Sequence, residues 1–156
     1  MKTRKSWREK LSGYKNLPKV NPIPERMLRK HGIGSIVIPD PREVDEVIKK
    51  VPKGKLTTTS LIAEFLAKKH RATIGCTVNT GIFAWLVANV ANEDEWQGKK
   101  RITPYWRVLK ANGEVNLKYP GGITNLKKRL ESEGHVVVKE GKRHMVKNYE
   151  KKLVRI

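Results

Sequence analysis

The chain has 156 residues, 38% of them hydrophobic and 31% charged, which suits one domain with a real core and a short extension. Its 34 Lys and Arg against 15 Asp and Glu leave a net charge of +19. Self-repulsion of that size implies a polyanionic partner, with nucleic acid the first candidate. The single cysteine, Cys76, excludes an internal disulfide framework, and one cysteine with four scattered histidines makes no zinc site.

No cofactor or metal is therefore expected. A membrane partner is not expected either, because the longest apolar stretch, residues 82–91, is too short to span a bilayer. Met1 to Lys10 is basic with no apolar run behind it, unlike a secretion signal. The reading is a cytoplasmic monomer, on the nucleoid if the cell is prokaryotic. The charge concentrates at the ends: residues 1–30 carry ten Lys and Arg against two acids, and residues 135–156 carry seven against two.

Residues 16–41 are punctuated by Pro18, Pro22, Pro24, Pro39 and Pro41, with Gly32 and Gly34 between, which predicts an extended, wrapping segment. Within it, Met27 to His31 suits one helical turn and Ile36 to Ile38 a short strand. Asp40 can then cap a helix with Pro41 at its first position, and Val44, Val47, Ile48 and Val51 form one apolar stripe. Pro52 stops it, Lys53-Gly54-Lys55 turns, and Thr57 or Thr58 caps a second helix bearing Leu61, Ile62, Phe65 and Leu66.

From Thr80 to Val90 the pattern is apolar nearly all round, so this helix is expected to be buried, with Phe83 and Trp85 as core. Asn92 to Lys100 reads as a polar loop and Ile102 to Leu109 as a strand or extended segment. Ala111 to Glu114 is a turn. Thr124 to Glu133 is a helix ended by Gly134, and Val136–Val138 with Met145–Val146 suggest a terminal hairpin. The expected class is α+β, mainly α: a winged-helix-like helix-turn-helix DNA-binding domain over residues 41–156, with a basic Pro/Gly-containing N-terminal extension (1–40) and a C-terminal hairpin.

Several short pieces recur in a telling order. They are Val51 to Thr58, Ile62-Ala63, Pro104-Tyr105-Trp106-Arg107-Val108, Gly113, Tyr119-Pro120-Gly121-Gly122, Leu130 and Glu133-Gly134. In this order the chain resembles the DNA-binding domain of the methylated-DNA–protein-cysteine methyltransferase family. It looks closest to the alkyltransferase-like relatives that lack the reactive cysteine, and the tail from Gly141 to Leu153 resembles theirs. Residues 1–40 lie outside the resemblance.

The family reaction needs a thiolate in a Pro-Cys-His-Arg turn, activated by a His that a Glu orients, and it attacks an alkyl group on a flipped guanine. Here Tyr105 stands at the cysteine position and Trp106 at the histidine position. A phenol with a pKa near 10 is a poor nucleophile at neutral pH. Glu133 matches the family's Glu without its histidine. Thr59 stands where the family has a nucleotide-rotating tyrosine, and the arginine finger falls on Ala72 or, with one residue of slippage, Arg71.

Charge and resemblance together imply a non-enzymatic binder of duplex DNA, sensing alkylated or distorted bases for repair, with a repair protein as a further partner. The DNA-contacting set is Lys53, Lys55, Thr58, Thr59, Arg71, Thr73, Lys99, Lys100, Arg101 and Arg107. The base pocket is Tyr105, Trp106, Tyr119 and Glu133, although two aromatics could instead have filled a redundant cavity as core. Two alternatives stand beside this reading. One is alkyl transfer or another enzymatic reaction at Cys76 with His70 as base; the other is a general RNA- or chromatin-binding basic protein.

Overall fold

The computed structural model describes residues 5–154. Its first helix, α1 (Trp7–Ser12), falls where no regular element was expected. Ser6 caps it by accepting from the Glu9 N–H at 3.1 Å, and the Glu93 carboxylate accepts from the Trp7 N–H at 3.0 Å. A six-residue helix is too short to stand alone; it persists because Leu11 is buried in the main core and Trp7 packs against it.

The segment expected to wrap does so as two strands. β1 (Lys19–Pro22) leads through a 3-10 turn and a single-turn α2 (Leu28–His31) into β2 (Ser35–Ile38), with which it pairs antiparallel. α3 (Pro41–Lys49) follows with the expected Asp40 cap, and Glu43 closes it into a capping box by accepting from the Asp40 N–H. Burial works against the Asp40 charge, but hydrogen bonds from Arg42 outweigh it and hold the carboxyl below its usual pKa. β3 (Thr57–Thr58) runs directly into α4 (Thr59–Lys69), where Thr58 Oγ1 accepts from the Leu61 N–H at 3.1 Å.

β4 (Ile74–Gly75) then adds parallel to β2, so residues from the N-terminal extension and the body share one sheet. Gly75 is required there, since a methyl group would overlap the Ala63 carbonyl of α4. α5 (Thr77–Trp96) is the longest helix described. It buries Phe83, Ala84, Leu86, Val87, Ala88, Val90 and Ala91 among α1, α3 and α4.

Two expectations fail on α5. Residues 92–96 are helical, because their acids have tertiary partners: Glu93 holds the start of α1, and Asp94 pairs with Arg8 and with Lys99. Trp85 is no core residue, since 36% of it remains exposed.

The expected strand over residues 102–109 shrinks to β5 (Val108–Leu109), parallel to β3. Tyr105–Arg107 form a 3-10 turn before it. α6 (Gly122–Ser132) starts two residues early on the left-handed Gly121. The terminal hairpin forms as expected from β6 (Val137–Glu140) and β7 (Arg143–Val146). Among the described residues no helix is long and apolar enough to cross a membrane.

Candidate nucleic-acid interface

On α5, Val78, Ile82 and Trp85 recur at i, i+4 and i+7, so they lie on one face. They stay exposed at 69%, 49% and 36%, while Phe83, Ala84, Leu86, Val87, Ala88, Val90 and Ala91 of the same helix are buried. With Thr77 and Gly81 of the same helix and Thr59 at the start of α4, they form one wall of a groove. The loop between β5 and α6 supplies the other wall through Lys110, Asn116 and Lys118, enclosing about 790 Å³. That loop is shaped by its own side chains: Asn112 and Asn116 accept from the Glu114 and Lys118 N–H groups at 3.3 and 3.1 Å. Trp85 Nε1 donates to the Lys118 carbonyl at 3.2 Å and ties the two walls together.

The chemistry of this groove is apolar in its floor and cationic at its edge. Lys110 pairs loosely with Glu114 at 3.5 Å, while Lys118 has no ion pair among the described residues. α5 begins at Cys76 without a side-chain cap, so its first-turn N–H groups lack a protein side-chain acceptor. A groove of this kind offers a face for a base and donors for phosphate.

The expected base pocket is occupied by its own side chains. Tyr105 is 1% exposed, with edge-on contacts to Trp106 at 5.3 Å and Tyr119 at 6.0 Å between centroids. Asn125 Nδ2 donates to the Tyr105 hydroxyl at 2.9 Å and to the Pro120 carbonyl at 3.0 Å. Arg129 lies over Trp106 at 4.6 Å and donates to Asn125 Oδ1 at 2.9 Å. Burial pushes the Tyr119 phenol far up, so it stays neutral. These aromatics are core, because the space that a base would need is filled.

Arg107 and Glu133 lie beneath them. Arg107 gives a forked pair of bonds to Glu133 (Nε at 3.0 Å, Nη2 at 2.7 Å) and a third to the Val51 carbonyl at 2.7 Å. Their side chains are only 13% and 5% exposed. Burial opposes the Glu133 charge, yet Arg107 and the nearby Trp106 indole hold its pKa below the ordinary value. The indole N–H falls short of hydrogen-bond geometry and is left buried without a partner. His135 close by is buried with Nε2 unpartnered, and burial pushes its pKa down, which keeps the ring neutral at pH 7.

Arg107 was expected to contact DNA, but its guanidinium is committed inside the fold. Thr58 is likewise buried as a helix cap. Thr73 is tied to Ser35, whose N–H it accepts at 3.0 Å. Thr59 alone of the expected DNA contacts lines the groove. Arg71 sits past the far end of α4, about 18 Å from Thr59 at the helical rise per residue. Lys99, Lys100 and Arg101 follow α5, whose last residue Trp96 is about 27 Å along the helix from Val78. Lys53 and Lys55 are exposed on the turn after α3.

The first turn of α5 exposes Thr77 and Val78 beside the groove, and Arg71 is not among the groove's lining residues. Reasoning from sequence missed Val78, Gly81, Ile82, Trp85, Lys110, Asn116 and Lys118. The i, i+4, i+7 spacing was present, but in a helix apolar all round nothing marked that face as the open one.

Cys76 does not line the groove. Asn79 Nδ2 donates to its Sγ at 3.3 Å, while His70 bonds Glu43 at 2.7 Å, so the expected thiol–imidazole pair is not assembled. No group of three His, Cys, Asp or Glu among the described residues could hold a metal ion.

The fold is similar to that of solved alkyltransferase-like structures. It matches the S. pombe Atl1 crystal structure in complex with damaged DNA containing O6-carboxymethylguanine, and a structure of S. pombe ATL in complex with DNA. Each match covers 73% of this chain and 93% of the other, at a TM-score of 0.52 and 17% sequence identity. No protein-family model and no curated protein sequence matches the chain.

Proposed function

We propose that this chain is a non-enzymatic DNA-binding protein of the alkyltransferase-like type, holding an alkylated or distorted base for repair. One observation carries the reading: an exposed apolar groove edged by lysines, on a fold shared with a protein crystallised on damaged DNA. In this reading α4 and α5 are the helix-turn-helix and the β6–β7 hairpin is wing-like. Val78 enters the base stack as an apolar wedge. The displaced base lies against Ile82 and Trp85, and Lys110 and Lys118 meet the backbone. Alkyl transfer has no agent, because Tyr105 is buried and hydrogen-bonded and Cys76 lacks a base.

The test is binding to labelled duplexes with and without one O6-alkylguanine, at several salt concentrations, followed by intact-mass analysis. Tighter binding to the lesion with unchanged mass is expected. A mass gain mapping to Cys76 refutes the non-enzymatic reading. Equal, salt-limited binding to both duplexes and to RNA would make this a general nucleic-acid binder.

A further inference from the structure

Trp85 has a second face. Beyond it, α1 docks along α5 and leaves a smaller cleft of about 360 Å³, lined by Lys5, Trp7, Lys10, Tyr14, Ile82 and Trp85, with Glu9 on its rim. Trp7 meets Trp85 edge-on with centroids 5.1 Å apart, and Tyr14 meets Phe83 in the same way at 5.1 Å. Ile82 and Trp85 line both this cleft and the groove described above, so the two are neighbours across one ridge. We propose that the α1–α5 cleft is a second nucleotide site, taking one unpaired base next to the lesion held in the groove. This rests on the proposed function and deepens it.

Three observations favour a nucleotide. The cleft is built from aromatic side chains, and every base has a π-face that stacks on them regardless of sequence. Its cations, Lys5 and Lys10, outnumber the one acid and suit a phosphate. Ile82 and Trp85 form a wall common to both sites, so the two sites adjoin and lie within reach of neighbouring nucleotides.

Lys10 Nζ rests 4.3 Å from the Trp7 ring centroid and blocks that face. A solvent-exposed cation–π contact is worth about two- to five-fold in an equilibrium. Stacking of a base on an aromatic ring is worth about five-fold at the least. A base therefore displaces the ammonium, which is then free to pair with the phosphate.

The measurement is fluorescence anisotropy on a duplex with one O6-methylguanine, compared with the same duplex carrying a single unpaired thymidine beside the lesion. The bulged duplex is expected to bind at least about five-fold tighter. Lys10→Glu and Trp7→Leu should each remove that increment and leave affinity for the unbulged duplex within about two-fold. Lys10→Glu decides the matter if Trp7→Leu disturbs α1. An increment absent from the wild type, or retained in Lys10→Glu, overturns the second site and leaves the groove standing. Failure to bind either duplex overturns both readings.

Discussion

Replacing Glu133 with alanine removes the acceptor for every side-chain hydrogen bond of Arg107 but one, leaving a guanidinium that is 13% exposed with only the Val51 carbonyl. Breaking a buried pair from one side costs about 3–5 kcal/mol. The remaining carbonyl and the Trp106 ring, 5.4 Å from the guanidinium carbon, place the expected loss near 3 kcal/mol. In a domain of this size that lowers Tm by roughly 6–12 °C. Urea unfolding followed by tryptophan fluorescence measures it.

The double variant Arg107→Met/Glu133→Leu should recover most of the loss, because it leaves no charge buried alone. Lesion discrimination, assayed well below Tm, should be unchanged in both. A loss under about 1 kcal/mol together with lost discrimination would refute this reasoning and return Glu133 to a base pocket. The pH dependence has a defined sign. The Glu133 pKa is lower in the folded chain than its ordinary value of 4.5, so the pair contributes fully above that pH. Its contribution is lost as pH falls through the folded value, and Glu133→Gln should remove that part of the acid sensitivity.

Arg71 holds a left-handed backbone (φ 55°) at the end of α4, where glycine is preferred. Arg71→Gly should therefore stabilise by about 1 kcal/mol in urea unfolding. It should leave the slope of log affinity against log salt unchanged; a fall of about one would place Arg71 on a phosphate. Gly75→Ala should destabilise by about 1–3 kcal/mol, since the added methyl meets the Ala63 carbonyl of a packed helix. A smaller loss would mean that β4 and α4 can separate. Lys118→Glu should weaken binding to plain and alkylated duplexes alike and reduce the salt slope by about one or more, while Lys127→Glu on α6 should not.

What the sequence made legible was local. The Asp40 cap, the Thr58 cap and the terminal hairpin each depend on residues within a few positions of one another, and each formed where expected. The order of short motifs was also enough to reach the fold. What stayed hidden depended on distant partners. α1 is held by Glu93 of α5, and the end of α5 in turn by Arg8, the Trp7 N–H and Lys99, of which only Lys99 is near in the chain. Neither end is strongly apolar, so periodicity gave no signal for them.

The site was hidden for a different reason: alignment places residues, but burial assigns their work. Tyr105 and Trp106 stand where a reactive pair would stand, and large side chains there close the space that small reactive ones would leave open. Arg129 and Asn125 then seal that side, and Glu133 neutralises Arg107. With the inner pocket filled, the proposed function holds a base further out, against α5. That is where the chain leaves Val78, Ile82 and Trp85 uncovered, although the same helix buries nearly every other apolar residue it has. Val78 and Ile82, with the open part of Trp85, put apolar surface in water beside a cationic edge, which costs the free monomer stability. The proposed reading accounts for that exposure by covering it with a bound base, and a chain of charge +19 favours a polyanion for that role.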